Sequence, residues 1–295
     1  MLKGVFPNVV IGYYLGQRLP ENLRPALRGA RNLEEIIATV TVSKLYRHLS
    51  GARSLEEAEK RLWEGYYSIL EEMYSISYGE YKLIVEYILE RHAIRRTRAL
   101  IGAIERGIPP EERRRCMAVG FLKPEALKAT TIEEVREYIP KKYREKTIYE
   151  MFVVYRKDVL SAKMSRNVKR MIERELGLKT LMLIIRARNS KEIAPEVEKI
   201  AEVDPYASVD LVRRVVEAET RKDALEELSE HPFYEYIRYI EDPFEAYFTL
   251  HERMPEIIGF KNVPIKPSPE RLYSGLKALE REVEKLVSIM NMVVV

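Results

Sequence analysis

The chain has 295 residues, 46% hydrophobic and 33% charged, with only 13 Gly and 15 Pro, a composition that argues against a β-rich fold full of tight turns and favours helices. Its 50 basic residues stand against 46 acidic ones, and the resulting net charge of +4 is too even for a typical nucleic-acid binder. The single Cys116 excludes an internal disulfide framework, and no apolar run, Leu181–Ile185 included, approaches the ~20 residues of a membrane span.

The first helix is expected after Pro20, with Asn32 as an N-cap ahead of the acidic turn Glu34-Glu35. Ser54 followed by Glu57 has the spacing of a capping box, and Leu55, Ala58, Leu62, Tyr66, Ile69 and Met73 then mark one apolar face. A longer helix is predicted over Tyr81–Arg106, its stripe formed by Leu83, Ile84, Tyr87, Ile88, Ile94, Ile101 and Ile104. Gly107 ends it and Pro109-Pro110 prevents its resumption. Shorter pieces follow, broken by Gly120, Pro124 and Pro140. Helical periodicity returns over Tyr149–Ala162 and Met164–Arg188, and a polar stretch from Asn189 to Pro195 interrupts it. Short helices then run to Tyr247, interrupted by Pro205, Pro232 and Pro243. Met254–Pro269, with Pro255, Pro264, Pro267 and Pro269, reads as a loop before an amphipathic last helix, Glu270–Met290. No alternating strand pattern occurs, so the expected fold is all-α.

Segments beginning at Arg91, Glu175 and Glu280 read alike. Aligning Ile94, Leu178 and Val283 also aligns Leu100, Ile184 and Ile289. Pro20-Glu21-Asn22-Leu23, Pro124-Glu125-Ala126-Leu127 and Pro269-Glu270-Arg271-Leu272 share a second spelling. Asn32-Leu33-Glu34-Glu35-Ile36 and Thr131-Ile132-Glu133-Glu134-Val135 share a third. These recurrences imply three degenerate helical modules, 1–110, 111–195 and a shortened 196–295, in a pseudo-threefold, funnel-like arrangement.

At these repeats the sequence resembles the C-type subunits of archaeal A-type ATP synthases and is similar to the d-type subunits of vacuolar (V-type) ATPases. The likeness rests on Ile94–Ala103, Leu178–Arg188 and Val283–Met290, on the Pro-Glu segments, and on the Tyr66-Tyr67 helix. It departs from the family where Arg96, Thr180 and Lys285 replace its usual Asn, and where Val119-Gly120 replaces its Gly-Gly. The resemblance implies a non-catalytic coupling spacer without a cofactor, peripheral to the cytoplasmic face of the membrane. Such a spacer links central-stalk subunits to the proteolipid ring and transmits rotation during proton or sodium transport. A free-standing helical-repeat scaffold or adaptor is the alternative, and a nucleic-acid binder using the arginine clusters is a third reading.

No catalytic, cofactor-binding or metal-ligating residues are assigned. His48, His92, His231 and His251 lack ligand spacing among themselves or with Cys116, and no phosphate-binding glycine loop or nucleophile elbow is present. The basic groups Arg95, Arg96 and Arg98, Arg113 to Arg115, Lys141, Lys142 and Arg144, and Arg186 and Arg188 remain. Arg113 to Arg115, following Glu111-Glu112, read as a solvated face. Arg95, Arg98, Arg186 and Arg188 recur near the ends of corresponding helices and are the candidate protein interface, because Arg is favoured there.

Overall fold

The computed structural model describes residues 5–113, 116–260, 263 and 266–294. Its helices are α1 (Val5–Gly16), α2 (Arg24–Arg28), α3 (Leu33–Val40), α4 (Leu55–Ile76), α5 (Glu80–Glu105), α6 (Ile132–Tyr138) and α7 (Ile148–Ser161). They continue with α8 (Arg166–Asn189), α9 (Ala194–Ala201), α10 (Val209–Glu217), α11 (Arg221–Glu226), α12 (Pro243–Ile258) and α13 (Pro269–Val294). Short 3₁₀ turns connect several of them. Among the described residues there is no strand, only the isolated bridge between Val119 and Leu122, so the chain is all-α. It divides into two compact units, Met1–Pro140 with Pro264–Val295, and Lys141–Val263.

In the first unit α4 and α5 form an antiparallel hairpin, turned through Gly79 at φ +56°, a conformation that glycine adopts without steric cost. The C-terminal helix α13 packs on both, and α1 packs on α13 and α4. A Cβ on Gly275 of α13 would fall 2.7 Å from Ile11 Cγ1, so the close seat of α1 depends on that glycine. Leu62, Tyr66, Met73, Ile84, Ile88, Ile94, Leu276 and Leu279 form the buried core. Each aliphatic side chain contributes about 1.5–3 kcal/mol relative to exposure.

In the second unit α7 packs on α9 and also meets α8, and α9, α10 and α12 pack around α8. Leu178, Leu181 and Ile184 of α8 are fully buried. Arg156 of α7 donates to Thr180 Oγ1 at 2.6 Å, to Asp204 Oδ2 at 2.8 Å and to the Leu176 carbonyl at 3.3 Å. Asp204 also accepts the backbone N–H groups of Tyr206 and Ala207. A buried charge with this many partners holds a fixed place, whereas an unpaired one would not be tolerated.

The matching spellings at Asn32 and Thr131 produce matching caps. Asn32 accepts the N–H of Glu35 and Thr131 that of Glu134, while each glutamate reaches back to the N–H of Arg31 or Thr130. Ser54 and Glu57 repeat the arrangement at the start of α4, with Glu57 bonded to the N–H of Arg53. The capping-box spacing therefore satisfies a donor one residue before the cap.

Other expectations are corrected. A helix, α1, precedes Pro20. Its sequence Val-Phe-Pro-Asn-Val-Val-Ile-Gly-Tyr-Tyr-Leu-Gly is apolar on every side and holds no charge, so it offers no amphipathic period to read. The inferred loop at Met254–Pro269 is helical as far as Ile258. Pro243 opens α12 at a position where its missing N–H costs nothing. Pro255 lies within one turn of the helix end, which Gly259 closes at φ +92°. Residues 261, 262, 264 and 265 of that segment lie outside the described residues. On α5, Leu83, Ile101 and Ile104 are only half-buried, and Arg91, His92 and Thr97 take inward positions instead.

Candidate functional site

The C-terminal helix α13 starts where the Ser268 hydroxyl accepts the N–H of Arg271, and from there it runs along α5. Between them lies a buried charge cluster. Glu280 is 1% exposed, and both of its oxygens accept from Arg91 Nη2 at 2.6 Å. Lys277 Nζ donates to it at 2.5 Å, and His92 Nε2 lies 3.3 Å away. Burial alone would raise the Glu280 carboxyl. Arg91, Lys277 and His92 more than offset that and hold it well below the usual carboxylate range.

Burial pushes His92 down to about 3 against the pull of Glu280, so the ring is neutral at pH 7. Its Nε2–H then faces Glu280, and Nδ1 faces the Tyr67 hydroxyl at 3.4 Å. Arg96 donates from Nε to the same hydroxyl at 2.8 Å and lies over the Trp63 ring. Trp63, Tyr66 and Tyr67 surround the imidazole with centroids 5.3–5.6 Å away. The Tyr66-Tyr67 pair is therefore the wall of a polar network rather than an exposed contact.

A second anchor uses Glu282. Its carboxylate accepts from Arg18 Nε at 2.5 Å, from the Leu19 N–H at 3.1 Å and from the Tyr46 hydroxyl at 2.7 Å. Burial, then Glu282, drives the Tyr46 phenol far above its ordinary value. This ties the start of the chain to its last helix.

The four candidate interface arginines fall in both units. Arg95 and Arg98 lie exposed on α5 of the first, and Arg186 and Arg188 in the last turn of α8 of the second. Arg95 is 43% exposed and lies 3.9 Å from Glu284 and 4.0 Å from Glu280. Arg188 is half-buried and donates to the Glu219 carbonyl at 3.3 Å, while Arg186 is exposed. Both also sit where cations favour a helix C-terminus.

Arg113 corrects its expectation. It is buried and donates to the carbonyls of Ile108, Leu127 and Ala129. Its planar fork of donors satisfies carbonyls that irregular turns leave without partners. Arg114 and Arg115 lie outside the described residues. Lys142 pairs with Asp158 at 2.7 Å.

A groove of about 420 Å³ is lined by Ser54, Glu57, Lys60, Glu111, Arg113 and Cys116. Glu57 and Arg113 already serve backbone groups there, and burial pushes the Cys116 thiol up, which disfavours a reactive thiolate. Among the described residues, no three His, Cys, Asp or Glu side chains gather as a metal site would. No helix among them is long and apolar enough to cross a membrane.

Sequence reasoning missed Arg91, His92, Lys277 and Glu280 as a group. The available signal was a charge at an inward position: Arg91, Glu175 and Glu280 each stand three residues before an aligned core aliphatic, and all three are buried. The family model described as ATP synthase (C/AC39) subunit matches residues 8–294. No curated protein matches the chain.

Proposed function

The chain belongs to the ATP synthase (C/AC39) subunit family, a non-catalytic part of rotary ATPases, and from that premise we propose that it is the spacer coupling the central stalk to the membrane proteolipid ring. The observation that carries the reading is the family match over nearly the whole chain. The packing supports it. A part that passes torque must resist sliding between its helices, and apolar contact alone is non-directional. Charge pairs such as Arg91–Glu280 and Arg156–Asp204 fix register and angle at specific points.

In this reading the protein sits peripherally on the cytoplasmic face, and the ion carried is a proton or sodium. Arg95, Arg98, Arg186 and Arg188 form part of its contact surface. The three repeated modules belong to the same proposal, supported by the shared caps of α3 and α6 and by Ile94, Leu178 and Val283, all buried on long helices. Affinity capture of the tagged protein from solubilised membranes tests the reading. Stalk and proteolipid subunits should be recovered together, and their absence from a complex that still pumps ions would sink it.

A further inference from the structure

The stretch from Lys157 to Arg174 holds six cations, Lys157, Lys163, Arg166, Lys169, Arg170 and Arg174, against Asp158 and Glu173. Its surplus of four equals the net charge of the whole chain, +4, so everything outside it is electrically balanced. The stretch covers the end of α7 and the first turns of α8. Lys157, Lys163, Arg166 and Arg170 are exposed, and Lys169 and Arg174 are half-buried. Among the described residues none of the six forms an ion pair. The carboxylates around them are mostly engaged: Asp158 by Lys142 at 2.7 Å, buried Asp204 by Arg156 at 2.8 Å, and Glu256 by Arg253 at 3.8 Å. Glu173 on α8 and Glu235, beside Tyr236 and Arg174, are left to face six cations.

These charges bring the fold no stability. Arg166 opens α8 and Lys169 follows within a turn, at the end of the helix dipole that disfavours cations, and no acidic residue in the first turn offsets them. Arg166, Arg170 and Arg174 stand one turn apart on one face, a like-charge spacing that destabilises a helix by itself. The fold shows what such a face accepts. On α5, Arg91 and Arg95 are likewise one turn apart, and they meet Glu280 and Glu284, one turn apart on α13, at 2.6 and 3.9 Å. The arginines of α8 extend that spacing by another turn. The guanidinium fork matches a carboxylate in geometry as well as charge. No large apolar side chain of the stretch is exposed, so it has no anchors of the kind that seat a helix in a lipid interface.

We propose that the Arg166–Arg170–Arg174 face of α8, with Lys163 and Lys169 beside it, docks a helix of a neighbouring subunit that carries carboxylates one turn apart. The proposal rests on the coupling reading above. It concerns a surface separate from Arg95, Arg98, Arg186 and Arg188.

The test uses the full chain and an Arg166→Glu/Arg170→Glu variant. Both positions are exposed, so the free variant should keep its helical content and melt within a few degrees of wild type. Binding of both proteins is measured to membranes stripped of this protein, at low and high salt. Vesicles of mixed neutral and anionic phospholipid and duplex DNA serve as competing surfaces, and light scattering reports self-association. In the intact complex, carbodiimide joins a lysine amine to a carboxylate in contact with it, and mass spectrometry maps the joined residues. The expected result is at least ~10-fold weaker binding of the variant at low salt, a gap that narrows as salt rises. Lys163 or Lys169 should be joined to Asp or Glu residues three or four apart on one segment of another subunit. Equal binding of both proteins, or joining only within this chain, would overturn the α8 proposal and leave the coupling reading standing. Wild-type capture by vesicles or DNA that the variant loses, or a dimer that it abolishes, would also overturn it, in favour of lipid, nucleic acid or a second copy. Failure of the wild type itself to bind stripped membranes would overturn both. If the double variant unfolds, Arg166→Gln/Arg170→Gln repeats the measurement without reversing charge.

Discussion

Arg91 and Glu280 are 189 residues apart in sequence, and the same offset relates Arg95 to Glu284, the next pair along the two helices. It is also the offset that aligns Ile94 with Val283 in the repeated segments. Residues at corresponding places in two segments of similar sequence therefore lie at the same height on parallel, adjacent helices. Their charges are complementary: Arg and Arg on α5 face Glu and Glu on α13. In the second unit, Glu175 occupies the corresponding place and pairs with Lys179 one turn along its own helix.

Removing one member of the cluster should cost far more than removing all of it. Glu280→Ala leaves Arg91 and Lys277 buried without their counter-ion, with an expected loss of about 3–5 kcal/mol. The triple variant Arg91→Met, Lys277→Met and Glu280→Met should recover most of that loss. Urea midpoints of the single and triple variants check this, and a triple variant no more stable than the single would contradict it.

Acid should destabilise the fold in two stages. His231 is buried, accepts the Phe233 N–H at Nδ1, and is held down to about 4 by burial. A folded value below the ordinary 6.5 means that its contribution is complete above pH 6.5 and is lost as the pH falls toward 4. The capping carboxylates Glu57, Glu134 and Glu150, lowered chiefly by backbone N–H donors, add a second loss at still lower pH. His231→Gln should remove roughly 1–3 kcal/mol of the first stage, while His92, held down to about 3, still contributes loss over the same range. Denaturation midpoints followed from pH 7.5 to 4 measure it, and a midpoint that rises on acidification would refute it.

Two helical glycines should respond to alanine with opposite sign. A Cβ at Gly102 meets nothing within 4 Å, so Gly102→Ala should stabilise by about 0.5–1 kcal/mol. At Gly177 a Cβ would fall 2.3 Å from Tyr206 Cδ2, and Gly177→Ala should cost about 1–3 kcal/mol despite the better helix former. Thermal melts of the two variants decide the matter; a stable Gly177→Ala protein would mean that Tyr206 moves aside freely.

Replacing Arg95, Arg98, Arg186 and Arg188 together by Ala should weaken assembly with the partner subunits while the free protein keeps its helical content. The single change Arg188→Ala should lower the melting temperature most, because that side chain also holds the Glu219 carbonyl. Reconstitution with assembly and coupled ion pumping as readouts tests the set. Unchanged pumping would assign all four to solvated or internal roles.

The sequence announced helices wherever polar and apolar residues segregate, and wherever a cap precedes an acidic turn, as at Asn32, Ser54 and Thr131. It hid α1, whose uniform apolarity has no period, and it hid the last turns of α12, because Pro255 was read as a breaker without knowing how near the end it lay. The charge cluster was invisible for a different reason. Arg91 and Glu280 look like surface residues until the partner helix is known, and that partner comes from the other end of the chain. Arg113 is hidden in the same way, since its partners are carbonyls that no side-chain pattern encodes.

The first unit closes only with α13, and the whole second unit is encoded between its two parts. On the ribosome, at ~5–20 residues per second, Arg91 waits about 10–40 s for Glu280, and Tyr46 and Arg18 wait longer for Glu282. The middle of the polypeptide can therefore mature before its beginning. Over that interval α1, α4 and α5 expose the surface meant for α13, which makes the nascent amino-terminal third a natural client for a holdase. A transcript truncated between codons 264 and 269 would release a chain whose second unit is whole and whose first lacks α13 and cannot close.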